Sequence, residues 1–160
     1  YFPMPLDGVL KFNLVGGVVL APEGRPVPLF ERFFMGGIFN IRGFQRNTLG
    51  PSIGVPTSGD PGASLSAFNI GGNKQLYLNN EYEMPLVKQP VNLRALVFFD
   101  VGNAFGEGEE LNLESMRMSF GWGVRWFSPV GPLRFEWGVP INPQPGEDPL
   151  VFAFTIGQSF

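Results

Sequence analysis

SMRMSFGWGVRWF, residues 115–127, changes character at every step. Met116, Met118, Phe120, Trp122, Val124 and Trp126 share one parity, and Arg117, Ser119, Gly121, Gly123 and Arg125 share the other. Successive side chains of a strand point to opposite faces, so the stretch predicts a strand with a bulky apolar wall on one side and a small, cationic one on the other. The next segment repeats the pattern. Residues 133–139 set Leu133, Phe135, Trp137 and Val139 against Arg134, Glu136 and Gly138, and Val130-Gly131-Pro132 supplies a tight turn between the two.

The same alternation extends outward along the chain. Residues 74–84 place Leu76, Leu78, Tyr82 and Met84 on one face, with Asn80 as its polar exception, and Gln75, Tyr77, Asn79, Glu81 and Glu83 on the other. Residues 91–101 oppose Val91, Leu93, Ala95, Val97, Phe99 and Val101 to Asn92, Arg94, Leu96, Phe98 and Asp100. Leu10, Phe12 and Leu14 alternate with Lys11 and Asn13. Residues 150–160 carry Leu150, Phe152, Phe154, Ile156 and Phe160 on one parity, broken by Gln158. No ten-residue window shows helical periodicity free of glycine or proline.

The expected fold is therefore all-β and antiparallel, with six strands of about ten residues, a length suited to a tilted strand of a membrane barrel. A soluble β-sandwich also alternates, and either parity could form its core, so alternation alone leaves both architectures open. Arginine, glutamate and glycine on one parity, opposite three tryptophans and many phenylalanines, favour the barrel. The tryptophans then suit interfacial girdle positions. Six strands fall short of the eight usual in the smallest transmembrane barrels, so the piece reads as incomplete.

Composition narrows the chemistry. The chain has 160 residues, no cysteine and no histidine, with 22 glycines, 16 prolines and 17 phenylalanines. Charged residues make up 16%, below the quarter usual in soluble domains. Disulfides, thiolate chemistry and a Ser-His or Cys-His nucleophile pair are excluded within the chain, and a zinc site would have to be all-carboxylate. A net charge of −3 without any Lys/Arg cluster offers no face for nucleic acid. Nothing cradles phosphate, so no cofactor is expected. The chain begins at Tyr1 without a basic, then apolar, leader, as a mature protein, a proteolytic product or an excised fragment would.

Residues 21–72 show no convincing regular structure, and a loop of that length inside a compact domain is usually functional or disordered. Its Gly/Pro/Ser-rich part, residues 50–72, reads as a cap over one end of the barrel. Within residues 21–72, ahead of that part, stands IFNIRGFQRN, residues 38–47, with Arg42 set among Ile41, Gly43 and Phe44. From the residues alone, an Arg42 extending into solvent from a flexible loop is the favoured reading.

Four ordered motifs carry a resemblance. ERFFMGGIFNIRGF (31–44) resembles the loop-six signature of the Omp85 superfamily, a hydrophobic-Arg-Gly-aromatic tetrapeptide after a glycine pair. FFDVGNAF (98–105) resembles its Asp-x-Gly strand. SFGWGVRWFSPVGPLRFEWGVPI (119–141) resembles its penultimate hairpin, and FAFTIGQSF (152–160) its closing strand with a terminal aromatic.

The resemblance implies a sixteen-stranded outer-membrane barrel preceded by periplasmic POTRA domains. Residues 1–160 would then form one partial domain holding the last six strands, with the POTRA domains and N-terminal strands absent. It implies that Arg42, in the motif Ile41-Arg42-Gly43-Phe44, folds into the lumen and meets Glu81 and Asp100, with Gly36, Gly37 and Gly43 allowing the tight path. An arginine between these two carboxylates would spoil them as a catalytic acid-base pair, so no enzyme is expected. It further implies a closing seam and assembly signal at Phe154, Ile156, Gly157 and Phe160. Gly157 should weaken strand pairing there, and Gln158 departs from the apolar residue common at its parity. The activity implied is folding and insertion of β-barrel proteins into the bacterial outer membrane. Nascent barrels, the lipid bilayer and accessory lipoproteins bound through POTRA domains would be the partners. The alternative is a two-partner-secretion exporter of one cognate protein.

Overall fold

The computed structural model describes residues 2–22, 25–58, 65–129 and 131–157. Its main element is one antiparallel sheet of seven strands in the order β1 (Phe2–Met4), β2 (Gly8–Val18), β5 (Lys74–Val87), β6 (Leu93–Phe105), β7 (Arg117–Ser128), β8 (Gly131–Ile141) and β9 (Val151–Ile156). A separate hairpin, β3 (Ser52–Pro56) with β4 (Leu65–Asn69), lies between β2 and β5 in the chain. The only helical pieces among the described residues are three short 3-10 turns. The sheet is a meander that does not close on itself, with β1 and β9 at its edges.

The expected strands correspond to β2 and β5 to β9. Three differences have local causes. The chain doubles back at Pro5–Asp7 so that β1 pairs with the start of β2, a three-residue strand too short to leave a periodic signature. The long loop is not devoid of strands, because β3 and β4 pair there in register from Ser52↔Asn69 to Pro56↔Leu65. Gly and Pro within β3 hid its alternation. The closing strand is also shorter than residues 150–160. Gly157 takes φ +80 and so ends β9 rather than thinning its interior, though its N–H still donates to the Pro132 carbonyl at 2.9 Å. Gln158 and Phe160 lie outside the described residues, as does Val130 of the β7–β8 turn.

The apolar parities face outward. Phe120 and Trp122 on β7 remain 47% and 46% exposed, and Phe152, Phe154 and Ile156 on β9 are exposed as well. On the other face Glu81, Glu83, Asp100, Ser119, Arg125, Arg134 and Glu136 are buried. This inverts the partition of a soluble protein, where charge is rarely buried and large apolar side chains rarely stay in the open. Trp122 and Trp137 face each other halfway along the β7–β8 hairpin, and only Trp126 sits near its turn, so the hairpin does not set all three at its ends as a girdle would require. Strands β2 and β5 to β8 run 11 to 14 residues, which at about 3.3 Å per residue and a tilt near 40° rise roughly 28–35 Å, enough to cross a bilayer's hydrocarbon core.

The polar face is covered by the chain itself. Leaving β2, the loop crosses this face, and Phe33 bridges Gly72 while Met35 bridges Leu49. Met35, Ile41, Phe44, Leu49 and Ala104 form a small buried cluster with Tyr77 packed against it. The hydrophobic core thus lies between the loop and the inner wall, and it holds the loop where the arginine is needed.

Candidate functional site

Ile41 and Phe44 are the anchors of the motif, fully and almost fully buried in that cluster. Between them Arg42 is directed at the wall. The turn is built by Asn40, whose Oδ1 accepts from the backbone N–H groups of Gly36 at 2.8 Å and Ile41 at 2.7 Å, and whose carbonyl accepts from Asn79 Nδ2 at 2.5 Å. Gly36, Gly37 and Gly43 all adopt positive φ. At Gly43 the requirement is double. Its φ is +84, and a Cβ there would lie 2.9 Å from Ser119 Cβ. A Cβ on Gly138, on the facing strand, would overlap the Gly43 backbone. Ser119 of β7 and Gly138 of β8 are therefore the bed on which the loop backbone rests at Gly43.

Asp100 receives Arg42 most completely. Its Oδ2 accepts from Nε at 2.7 Å and from the Arg42 backbone N–H at 3.1 Å, and its Oδ1 accepts from Nη2 at 2.8 Å. Glu81 Oε2 accepts from Nη1 at 2.6 Å. Glu136 Oε2 accepts from the same Nη1 at 3.4 Å. The guanidinium carbon lies 3.8 Å from the centroid of the Phe98 ring, and the Ser119 hydroxyl donates to the Arg42 carbonyl. Forked donors on a bidentate carboxylate, with an aromatic face beneath, is the geometry arginine fits and lysine does not. Burial alone would lower the guanidinium pKa, but hydrogen bonding and charge from Asp100, with Glu136 and Glu81 behind, raise it above its ordinary value.

Arg42 is one member of a larger network. Arg125 bridges Glu81 at 2.7 Å and Glu83 at 2.6 Å through Nη1, and its Nη2 reaches Glu81 Oε2 at 2.7 Å and Glu136 Oε1 at 3.2 Å. Arg134 pairs with Glu136 at 2.9 Å. Lys11 lies 2.7 Å from Glu83 and 3.4 Å from Glu81, and Arg94 lies 2.8 Å from Glu83. The sequence reading named Glu81 and Asp100, and both touch Arg42. It missed Glu136, Glu83, Arg94, Arg125, Arg134 and Lys11 as members of the same network. Their inward parity was the available signal, but which of them meet depends on register between strands. All four carboxylates are engaged by cations, and among the described residues no cluster of acidic side chains is arranged to hold a metal ion.

The seam residues stand apart from this site. On β9, Phe154 packs on Phe135 with ring centroids 4.9 Å apart, and Phe152 on Trp137 at 5.1 Å, all on the outer face. Ile156 is exposed, Gly157 caps the strand, and Phe160 is outside the described residues.

A sheet apolar without and charged within, its inner face plugged by its own loop, has the architecture of a transmembrane β-barrel wall. The chain belongs to the Omp85 superfamily, whose domain matches residues 3–160. It is similar to the outer membrane protein assembly factor BamA of Nitratidesulfovibrio vulgaris, at 35% identity over 163 residues that cover 100% of this chain and 19% of that protein. It also resembles the sorting and assembly machinery component 50 homolog of Mus musculus, at 28% identity over 161 residues, covering 91% of this chain and 32% of that one. Its fold matches the crystal structure of BamA from Haemophilus ducreyi lacking POTRA domains 1–3, with a TM-score of 0.72 and 22% identity, over 92% of this chain and 32% of that chain. The chain thus spans between about a fifth and a third of the length of these relatives.

Proposed function

We propose that this chain is the C-terminal barrel portion of an outer-membrane assembly factor, a BAM-type insertase that folds and inserts other β-barrel proteins without covalent catalysis. The observation that carries the proposal is the docked motif: Ile41-Arg42-Gly43-Phe44 packed on the inner wall of a sheet with the superfamily's sequence from residue 3 to residue 160. Within the superfamily, similarity to an assembly factor and to a sorting and assembly component supports assembly over export of one cognate protein.

The physical route follows from the sheet's edge. Strand β9 has six residues against the eleven of β8, and among the described residues it pairs on one side only. Its outer row of N–H and C=O groups is a template on which an incoming strand can add by backbone hydrogen bonding. The loop, held by Arg42, fills the inner face and keeps the wall in shape while the edge is engaged. Strand pairing and burial of the client's apolar face supply the free energy, so no nucleotide is required. In this reading the protein resides in the bacterial outer membrane, receives nascent barrel proteins as clients, and meets accessory lipoproteins through periplasmic domains outside this chain.

Depletion of the full-length protein in its own cell tests the proposal, with several unrelated outer-membrane barrels quantified together. Assembly predicts that all fall in parallel while their precursors accumulate in the periplasm. Loss of one secreted protein with normal levels of the other barrels would replace it with the exporter.

A further inference from the structure

We infer that Glu83 is a positioning residue for loop docking: among the described residues its ion pairs are all with cations of the wall and none with the loop, yet it sets the charge balance that lets Arg42 reach its carboxylates. The inference deepens the assembly reading, on which its consequence for client insertion rests, but it is read out on the loop itself.

The argument starts from register. Arg94 stands directly opposite Arg125, and Arg125 directly opposite Arg134, so three guanidinium groups line up across β6, β7 and β8 on the inner face. Like charges in directly opposed positions destabilise a sheet unless they are answered. The answer comes from the adjacent row, where Glu83, Leu96, Gly123 and Glu136 face one another in turn. Glu136 is shared between the arginine row and Arg42. Glu83 is not. It is 2% exposed, and its contacts are Arg125 at 2.6 Å, Lys11 at 2.7 Å and Arg94 at 2.8 Å, all cations of the wall.

Without the Glu83 charge, Arg125 loses one of the two carboxylates its Nη1 holds and depends on Glu81 and Glu136 alone. Those are two of the three carboxylates that Arg42 also uses. Arg42 would compete with Arg125 for the same two carboxylates and would approach a wall carrying more positive potential, in an interior where water screens little. Among the described residues the network contains five cations, Lys11, Arg42, Arg94, Arg125 and Arg134, and four carboxylates, Glu81, Glu83, Asp100 and Glu136. Its excess is one positive charge with the loop docked. Neutralising Glu83 makes it two, and neutralising Arg94 as well returns it to one. Arg94 touches Glu83 and the Phe127 ring and lies on the wall rather than in the loop.

The test is hydrogen-deuterium exchange of the full-length protein in lipid nanodiscs, followed for loop residues 36–49 and for β7 and β8. Glu83→Gln is expected to speed loop exchange on the order of tenfold while β7 and β8 stay protected, and Glu83→Gln/Arg94→Gln is expected to return the loop close to the wild-type rate. A space-filling role for Glu83 would not be rescued by removing a cation from the neighbouring strand. Unchanged loop exchange in Glu83→Gln, or no recovery in the double variant, overturns the inference. Should the strands of Glu83→Gln open too, Arg94→Gln alone decides: slower loop exchange than wild type supports the inference, and equal or faster exchange overturns it. The assembly reading fails separately, by the depletion experiment, whichever way the loop responds.

Discussion

Asp100→Asn is the substitution that most directly tests how the loop is held. Asp100 is 0% exposed and accepts three hydrogen bonds from Arg42, two of them from the guanidinium. Glu81 and Glu136 are shared among Arg42, Arg125 and other cations of the wall, whereas among the described residues Asp100 pairs with Arg42 only. An asparagine keeps one acceptor oxygen but turns its amide N–H groups toward a guanidinium that can only donate. Two charged hydrogen bonds at about 1.5–3 kcal/mol each bound the loss at roughly 3–6 kcal/mol, and breaking a buried ion pair by removing one partner costs about 3–5 kcal/mol, which is the loss expected here. That corresponds to roughly a hundredfold to several thousandfold in the docking equilibrium. Hydrogen exchange of the Ile41, Arg42 and Leu49 amides measures it, and Asp7→Asn, which removes the exposed partner of Lys88, serves as a control expected to change nothing. A cycle with Arg42→Met adds the sharper criterion. Arg42→Met leaves Asp100 buried without its cation, and Asp100→Asn leaves Arg42 with Glu81 and the longer contact to Glu136, while the double change does neither, so the double variant should lose less than the two singles together. Strict additivity, or a loop exchange rate in Asp100→Asn within about fivefold of wild type, would refute the view that this pair closes the loop.

Arg42→Glu would place a fifth carboxylate beside four, expelling the loop; limited proteolysis should cut within residues 25–50 in the variant and leave the wild type intact, and equal resistance of both would sink the prediction. Gly138→Ala should raise loop exchange through overlap with the Gly43 backbone, costing about 1–3 kcal/mol as overpacking does, whereas Gly16→Ala, whose added methyl would meet its nearest neighbour at 3.7 Å, should be silent. Trp122 and Trp126 face outward and are 46% and 39% exposed, so brominated acyl chains should quench their fluorescence while aqueous iodide does not; the reverse order of quenching would contradict the barrel reading.

Much of this protein was legible as parity. In β5, β6, β7 and β8 the alternation of residues such as Trp122, Gly123, Val124 and Arg125 is set by backbone geometry alone, since neighbouring side chains of a strand point to opposite faces whatever lies beside it. The motif residues Ile41 to Phe44, with Glu81 and Asp100, were legible through their resemblance to a family. Parity does not say which strand lies next to which, or at what register. Arg125 is 44 residues from Glu81, and Glu136 is 94 from Arg42, and no local pattern links them. Only the pairing of β5 through β8 lines up Arg94, Arg125 and Arg134, and only the folded loop presses Gly43 against Gly138. The strands and their faces follow from short-range sterics that the sequence states residue by residue. The charge network follows from long-range register, because a one-residue slip of any one strand would carry that strand's charges to the outer face.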